Sequence, residues 1–203
     1  MTPPRSRPAS LVFTVLLALL LTACTSGSSD TATDTADTST VPRTAAVTSS
    51  DPCPVVERVA PRTDGLPDLE LPCLGDGPAV RLSDLRGVPM VLNVWAAWCT
   101  NCDREMPLFA DAAARAGGDL RFLGVHFKAT RDQGLQSVGD FGVPFPSVHD
   151  EDGDLVVKEL GAYAPPQTFF VTADGQVAGR EIGEIETQRE LDGLIARYLG
   201  AEL

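Results

Sequence analysis

Hydrophobic positions fall into three regimes along the 203-residue chain. From Leu11 to Leu21 every position except Thr14 is apolar. From Thr25 to Pro52 half of the residues are Ser or Thr, with no aromatic residue, no Leu and no Ile. From Cys53 to Leu203 apolar positions recur with the periods of strands and helices. Leu69-Glu-Leu71 and Ala79-Val-Arg-Leu82 alternate apolar and polar, as half-buried strands do, and Gly75-Asp-Gly77 between them signals a turn. Ser83-Asp-Leu-Arg-Gly87 reads as one helical turn closed by Gly. Met90-Val-Leu-Asn-Val-Trp95 is mostly apolar and of strand length, the pattern of a strand buried on both faces.

A helix is predicted from about Cys99 towards Ala116, ended by Gly117-Gly118 and kinked at Pro107. Leu120 to Phe127 reads as a second central strand. Asp132 to Phe141 is only weakly helical, because Gly134 and Gly139 oppose a helix. Gly153 to Gly161 reads as another short helix. Gln167 to Thr172 and Gln176 to Arg180 flank Ala173-Asp-Gly175, a hairpin signal. The last helix is the clearest, with Thr187 and Glu190 as a capping box and Leu191, Leu194, Ile195, Tyr198 and Leu199 as one apolar stripe. Strands that alternate with helices, followed by a hairpin and a helix, imply an α/β sandwich around a central sheet of mixed strand direction.

The two N-terminal regimes read as an address and a tether. Arg5 and Arg7 precede an apolar run shorter than the roughly 20 residues a membrane-spanning helix needs. Positive start, short apolar middle and small residues at the end make an export signal over residues 1–23. Leu21-Thr-Ala-Cys24 resembles the lipobox of bacterial lipoproteins, in which the cysteine is acylated and becomes the new N-terminus. Cys24 is therefore expected to anchor the chain on the outer face of the cell membrane. Residues 24–52 comprise the acylated cysteine and a tether whose composition cannot bury enough apolar surface to order itself. Residues 53–203 form the folded domain, long enough for a self-sufficient core.

The net charge is −12, and signal cleavage removes Arg5 and Arg7 but no acid. No basic surplus is available to neutralise phosphates, so nucleic acid is excluded as a partner.

The five cysteines are Cys24, Cys53, Cys73, Cys99 and Cys102. Acylation of Cys24 leaves four. Cys99 and Cys102 follow a predicted buried strand and open a predicted helix. Three residues apart on a first helical turn, they can close a small disulfide ring. At a helix N-terminus the unpaired N–H groups and the positive dipole end stabilise a thiolate, and Cys-x-x-Cys motifs in such places have thiol pKa values of roughly 3.5–7.5. Cys99 is then the exposed nucleophile and Cys102 the residue that resolves the mixed disulfide. Zinc would need a second pair at matching spacing, which Cys53 and Cys73 do not provide. His126 and His149 read as lone histidines of core or surface. No metal and no cofactor is expected. Cys53 and Cys73 have an even count and an oxidising compartment in their favour as a structural disulfide. A second exchange pair, relaying electrons to or from Cys99 and Cys102, is the alternative.

Val91 to Pro107, containing Trp98-Cys99-Thr-Asn-Cys102-Asp-Arg-Glu105, resembles the signature of the TlpA/ResA-type thioredoxin-like family. Pro67-Asp-Leu-Glu-Leu71 and Val80 to Gly87 resemble its entry strands, and Tyr163 to Gly175 its cis-proline loop and hairpin. The resemblance implies a thioredoxin-like sandwich, a central mixed β-sheet with helices on both faces. It implies thiol–disulfide exchange with protein clients outside the cytoplasm, often reductive and often serving cytochrome c maturation, which makes apocytochrome c a candidate client. A membrane-embedded electron donor or acceptor would be the second partner. Pro166 takes the place of the cis-proline, and Trp98, Glu105 and Pro165 are supporting residues.

Three positions depart from the pattern. Pro165 stands where a smaller or β-branched residue is usual. Asn93 stands where thioredoxin carries a buried Asp, and Lys128-Ala129 where some reductive members carry a buried Glu. Glu105 matches a family position. It reads either as the base for Cys102 or as a first-turn helix charge favoured by the dipole. Two other function classes compete, a Cu(I)-binding metallochaperone of thioredoxin fold and a thiol peroxidase. The first usually has wider Cys spacing and a partner His, and the second a lone cysteine with Thr and Arg around it. Within the oxidoreductase reading, a disulfide-donating oxidase is the alternative to a reductase.

Overall fold

A computed structural model describes residues 51–203. The signal segment, Cys24 and the tether up to residue 50 lie outside the described residues. The domain opens with a two-stranded antiparallel ribbon, β1 (Glu70–Leu71) and β2 (Val80–Arg81), followed by a 3-10 turn at Leu82–Asp84. Then come β3 (Met90–Trp95), α1 (Thr100–Ala116), β4 (Arg121–Phe127), α2 (Arg131–Phe141) and β5 (Ser147–Asp150). A π-helical turn at Val156–Leu160 leads to β6 (Gln167–Val171), β7 (Val177–Ile182) and α3 (Gln188–Leu199). Five strands form one sheet in the order β5-β4-β3-β6-β7. β4 runs parallel to β3 and β5, whereas β6 is antiparallel to both β3 and β7.

The steps β3-α1-β4 and β4-α2-β5 advance in the same direction across the sheet. Right-handed crossovers then place α1 and α2 on the same face. Side chains paired across a sheet share a face, and the register lines up Asn93, Gly124 and Ser147 in one row and Trp95, His126 and His149 in the next row of that face. Asn93 reaches Glu105 on α1, His126 lies against Gly134 on α2, and Phe170 on the same face packs on Tyr198 of α3 with ring centroids 5.0 Å apart. The other face carries Phe127 and Asp150. There the Val156 amide donates to Asp150 Oδ2 at 2.8 Å, which holds the π-helical turn against the sheet. Helical segments thus cover both faces, with the three α-helices together on one.

β3 is buried at all six positions, as its continuous apolar pattern requires of a central strand. In α3 Leu191 and Ile195 are fully buried, each contributing about 1.5–3 kcal/mol. Thr187 Oγ1 accepts the Glu190 amide at 3.2 Å. Glu190 reaches back to the amide of Glu186 rather than to that of Thr187, so only half of the expected capping box forms. The complete box lies on α2 instead, between Thr130 and Gln133. The expected weakness of that helix is corrected by its packing, since Gly134 is where the helix meets the His126 ring. α1 runs through Pro107 without a break. β5 was not anticipated from the sequence. Among the described residues no helix is long and apolar enough to cross a membrane.

Candidate active site

β3 ends at Trp95, and the chain turns through Ala96 to Trp98 into Cys99, the N-cap of α1. The turn is closed by the Cys99 amide donating to the Ala96 carbonyl at 3.0 Å. Cys99 and Cys102 are joined in a disulfide with Cα atoms 5.2 Å apart. Cys99 Sγ accepts the amide of Cys102 at 3.1 Å. One of the unpaired N–H groups at the helix start is thus already aimed at the nucleophilic sulfur, where it would stabilise a thiolate. Cys99 is 6% exposed and Cys102 1%, so the first sulfur is the reachable one.

The peptide bond between Pro165 and Pro166 is cis. Gln167 pairs with Val94, so Pro166 stands beside the end of β3 where the cysteine turn begins. The Ala164 carbonyl accepts from Gln167 Nε2 at 2.6 Å and the Pro166 carbonyl from the Gly183 amide at 3.0 Å. Pro165 has no N–H to offer. Trp98 and Tyr163 are 57% and 74% exposed, the large apolar side chains beside the cysteine turn and in the cis-proline loop.

Glu105 is one helical turn beyond Cys102 and is completely buried. Its Oε1 accepts from Asn93 Nδ2 at 2.8 Å and its Oε2 from the Ile185 amide at 3.1 Å. Burial pushes its carboxyl up to about 7, and these two hydrogen bonds oppose the rise. Glu105 is thus a buried carboxyl and not a solvent-exposed charge of the first turns of α1. Its spacing of three from Cys102 puts both on one side of α1. Asn93 cannot take a proton, but it positions a group that can.

The sequence treated His126 and His149 separately. They face each other in the core with Nδ1 atoms 3.0 Å apart and rings stacked at 5.1 Å, and Trp95 lies 4.5 Å from the His126 ring. Burial, and secondly His149, lowers the His126 pKa to about 3, and burial also lowers that of His149. One neutral ring therefore donates its Nδ1–H to the other. β5 carries His149 to this place, so the pair exists only through the β4–β5 register. Among the described residues no three or more His, Cys, Asp or Glu side chains are grouped to hold a metal ion.

Cys53 and Cys73 form a second disulfide with Cα atoms 5.9 Å apart. It lies beside β5, where Cys73 bridges to Val148. Both cysteines are buried, at 4% and 8% exposure. Burial and position at the far edge of the sheet fit a staple between the entry segment and β5.

Residues 63–180 match the AhpC/TSA family. The chain is 32% identical over 133 residues to the thiol:disulfide interchange protein DsbE of Pseudomonas fluorescens biotype C, covering 65% of this chain and 72% of that protein. It is 34% identical over 123 residues to the thiol-disulfide oxidoreductase ResA of Oceanobacillus iheyensis, covering 56% of this chain and 61% of that one. A secreted Mycobacterium tuberculosis disulfide oxidoreductase, described as homologous to Escherichia coli DsbE, superposes with a TM-score of 0.56 at 25% identity, covering 64% of this chain and 96% of that one.

Proposed function

The chain belongs to the AhpC/TSA family, as a thioredoxin-like thiol–disulfide oxidoreductase of the DsbE/ResA type, and on that premise we propose that Cys99 and Cys102 exchange disulfides with protein clients outside the cytoplasm. The observation that carries this reading is the Cys99–Cys102 disulfide at the start of α1, with the Cys102 amide donating to Cys99 Sγ.

In the reducing direction the Cys99 thiolate attacks one sulfur of a client disulfide. A mixed disulfide forms, and the client's other sulfur leaves as a thiolate. The Cys102 thiolate then attacks Cys99 Sγ, the client's remaining sulfur leaves, and the Cys99–Cys102 disulfide closes. The client gains two electrons and, on protonation, two protons. The oxidising direction is the same path reversed. Glu105, with a carboxyl titrating near 7 on the same side of α1, takes the Cys102 proton as that thiol becomes a nucleophile. Pro166 and the Pro165 carbonyl form the ledge against which an extended client segment lies, and Trp98 and Tyr163 supply its apolar flank.

The compartment is supported by the export-signal pattern of residues 1–23, by the buried Cys53–Cys73 disulfide, and by the secreted relative. Acylated Cys24 and the tether hold the domain to the membrane, where a membrane-embedded dithiol or disulfide partner exchanges electrons with the Cys99–Cys102 pair. Apocytochrome c is the proposed client of a reductive enzyme.

The test is a redox equilibrium on residues 53–203, followed by Trp95 and Trp98 fluorescence, with Cys99→Ala as control. A potential near about −270 mV supports a reductase, and one near about −120 mV a disulfide donor. The absence of any reversible step that depends on Cys99 would overturn the assignment.

A further inference from the structure

We infer that Lys128 is a positioning residue of the exchange site, whose left-handed backbone aims its carbonyl at the Trp98 indole and fixes that ring beside Cys99 before a client arrives. The inference rests on the proposed exchange with protein clients through Cys99. Trp98 is more than half exposed, so burial alone does not hold it. Its indole N–H nevertheless donates to the Lys128 carbonyl at 2.7 Å.

Lys128 follows β4 directly and has φ 53°, alone among the described non-glycine residues in that region. Lysine has no short polar side chain to compensate such a conformation, as Asn and Asp have. Residues held this way persist only where their surroundings over-determine them, and they gather at functional sites. The surroundings of Lys128 do this. The Lys128 amide donates to the Asp150 carbonyl at 3.1 Å, which extends the β4–β5 ladder by one bond. In an extended residue the N–H and C=O point to the same side, towards the same neighbouring strand. The positive φ breaks that alignment, so the amide stays on the ladder while the carbonyl turns to the indole. Gly153 makes room for the side chain, since a Cβ there would stand 2.4 Å from Lys128 Cγ and 2.8 Å from the Phe127 ring. Phe127 in turn faces Trp98, with ring centroids 6.5 Å apart. Both attachments of the indole therefore come from the end of β4.

An exposed side chain that must be ordered on binding weakens the complex. Holding the indole in place beforehand lowers the KM for a client and leaves the sulfur chemistry alone. Three variants of the full chain separate this role from a structural one. Lys128→Val places a β-branched residue where φ must be positive. Lys128→Asn tolerates that backbone, and Trp98→Phe removes the donor. The first readout is the indole N–H resonance of Trp98. It should be protected from solvent exchange in the wild type and in Lys128→Asn, and unprotected in Lys128→Val. The second is the exchange reaction with a disulfide-bonded protein client. KM should rise about two- to tenfold in Lys128→Val with kcat held. Trp98→Phe should raise it at least as much, Lys128→Asn should match the wild type, and combining Lys128→Val with Trp98→Phe should add nothing to Trp98→Phe.

A protected indole in Lys128→Val overturns the inference, as does an equal rise of KM in Lys128→Asn and Lys128→Val. If Lys128→Val does not fold, the wild type and Lys128→Asn decide, because an unprotected indole in either one is equally fatal. A wild-type protein with no client exchange through Cys99 would sink the proposed function instead, and the indole readout would still judge the contact.

Discussion

Asn93 Nδ2 donates to Glu105 Oε1 at 2.8 Å, and neither residue is more than 1% exposed. Asn93 stands where thioredoxin itself carries a buried Asp on the strand before the motif. Here the strand contributes an amide, and the acid comes from the helix. The ionisable group comes from α1 instead of β3, in hydrogen-bond contact with the strand position, and it is buried one turn beyond Cys102.

The displaced acid sets a pH dependence. Burial raises the Glu105 carboxyl from its ordinary 4.5 to about 7. Between those values the native state holds a proton that the unfolded state has lost, so the contribution of this group to stability falls as pH rises. The full effect is about 3 kcal/mol. Urea midpoints measured from pH 5 to 8 should fall with pH in the wild type, and the fall should flatten in Glu105→Gln. The rate of client exchange should lose its inflection near pH 7 in the same variant.

The histidine pair has the opposite sign. The His126 pKa is about 3, below its ordinary 6.5. Below pH 6.5 the unfolded state takes up protons that the native core refuses, so stability falls as pH falls, at about 1.4 kcal/mol per pH unit for one group. Replacing the ring by an apolar one in His126→Phe should reduce this acid-side slope and leave the share that buried His149 carries. An unchanged slope between pH 6 and 4 would show that His126 does not carry it.

Gly134→Ala tests the packing of α2. Alanine is the better helix former by about 1 kcal/mol, yet its Cβ would stand 2.8 Å from the His126 ring and 2.9 Å from Leu74 Cδ1. A net loss of about 1–3 kcal/mol is expected from the crowding. Thermal unfolding decides it, and a higher melting temperature would mean that the ring gives way easily.

The second disulfide should be separable from exchange. Replacing Cys53 and Cys73 together by Ser is expected to cost about 3 kcal/mol and to leave client exchange through Cys99 intact. A matching drop in turnover at a temperature where the variant is folded would favour a relay instead.

The sequence determined what local chemistry can write. The apolar run of β3, the Cys99–Cys102 spacing at a strand-to-helix turn, the stripe of α3 and the order of the elements other than β5 were legible, because each depends on residues a few positions apart. The thioredoxin-like motif carried Pro166 with it. Tertiary structure decided what depends on residues that meet across the sheet. β5 is four residues long with mixed polarity, and it becomes a strand through its parallel neighbour β4. Its placement pairs His149 with His126, lets Gly134 strengthen a helix that its propensity weakens, and extends the ladder by the Lys128 amide that leaves a carbonyl free for Trp98. Glu105 was visible as an acid in the first turns of α1. Only the closure of Asn93 and Ile185 around it removed its water, and desolvation by distant parts of the chain is a cost that no local pattern of residues records.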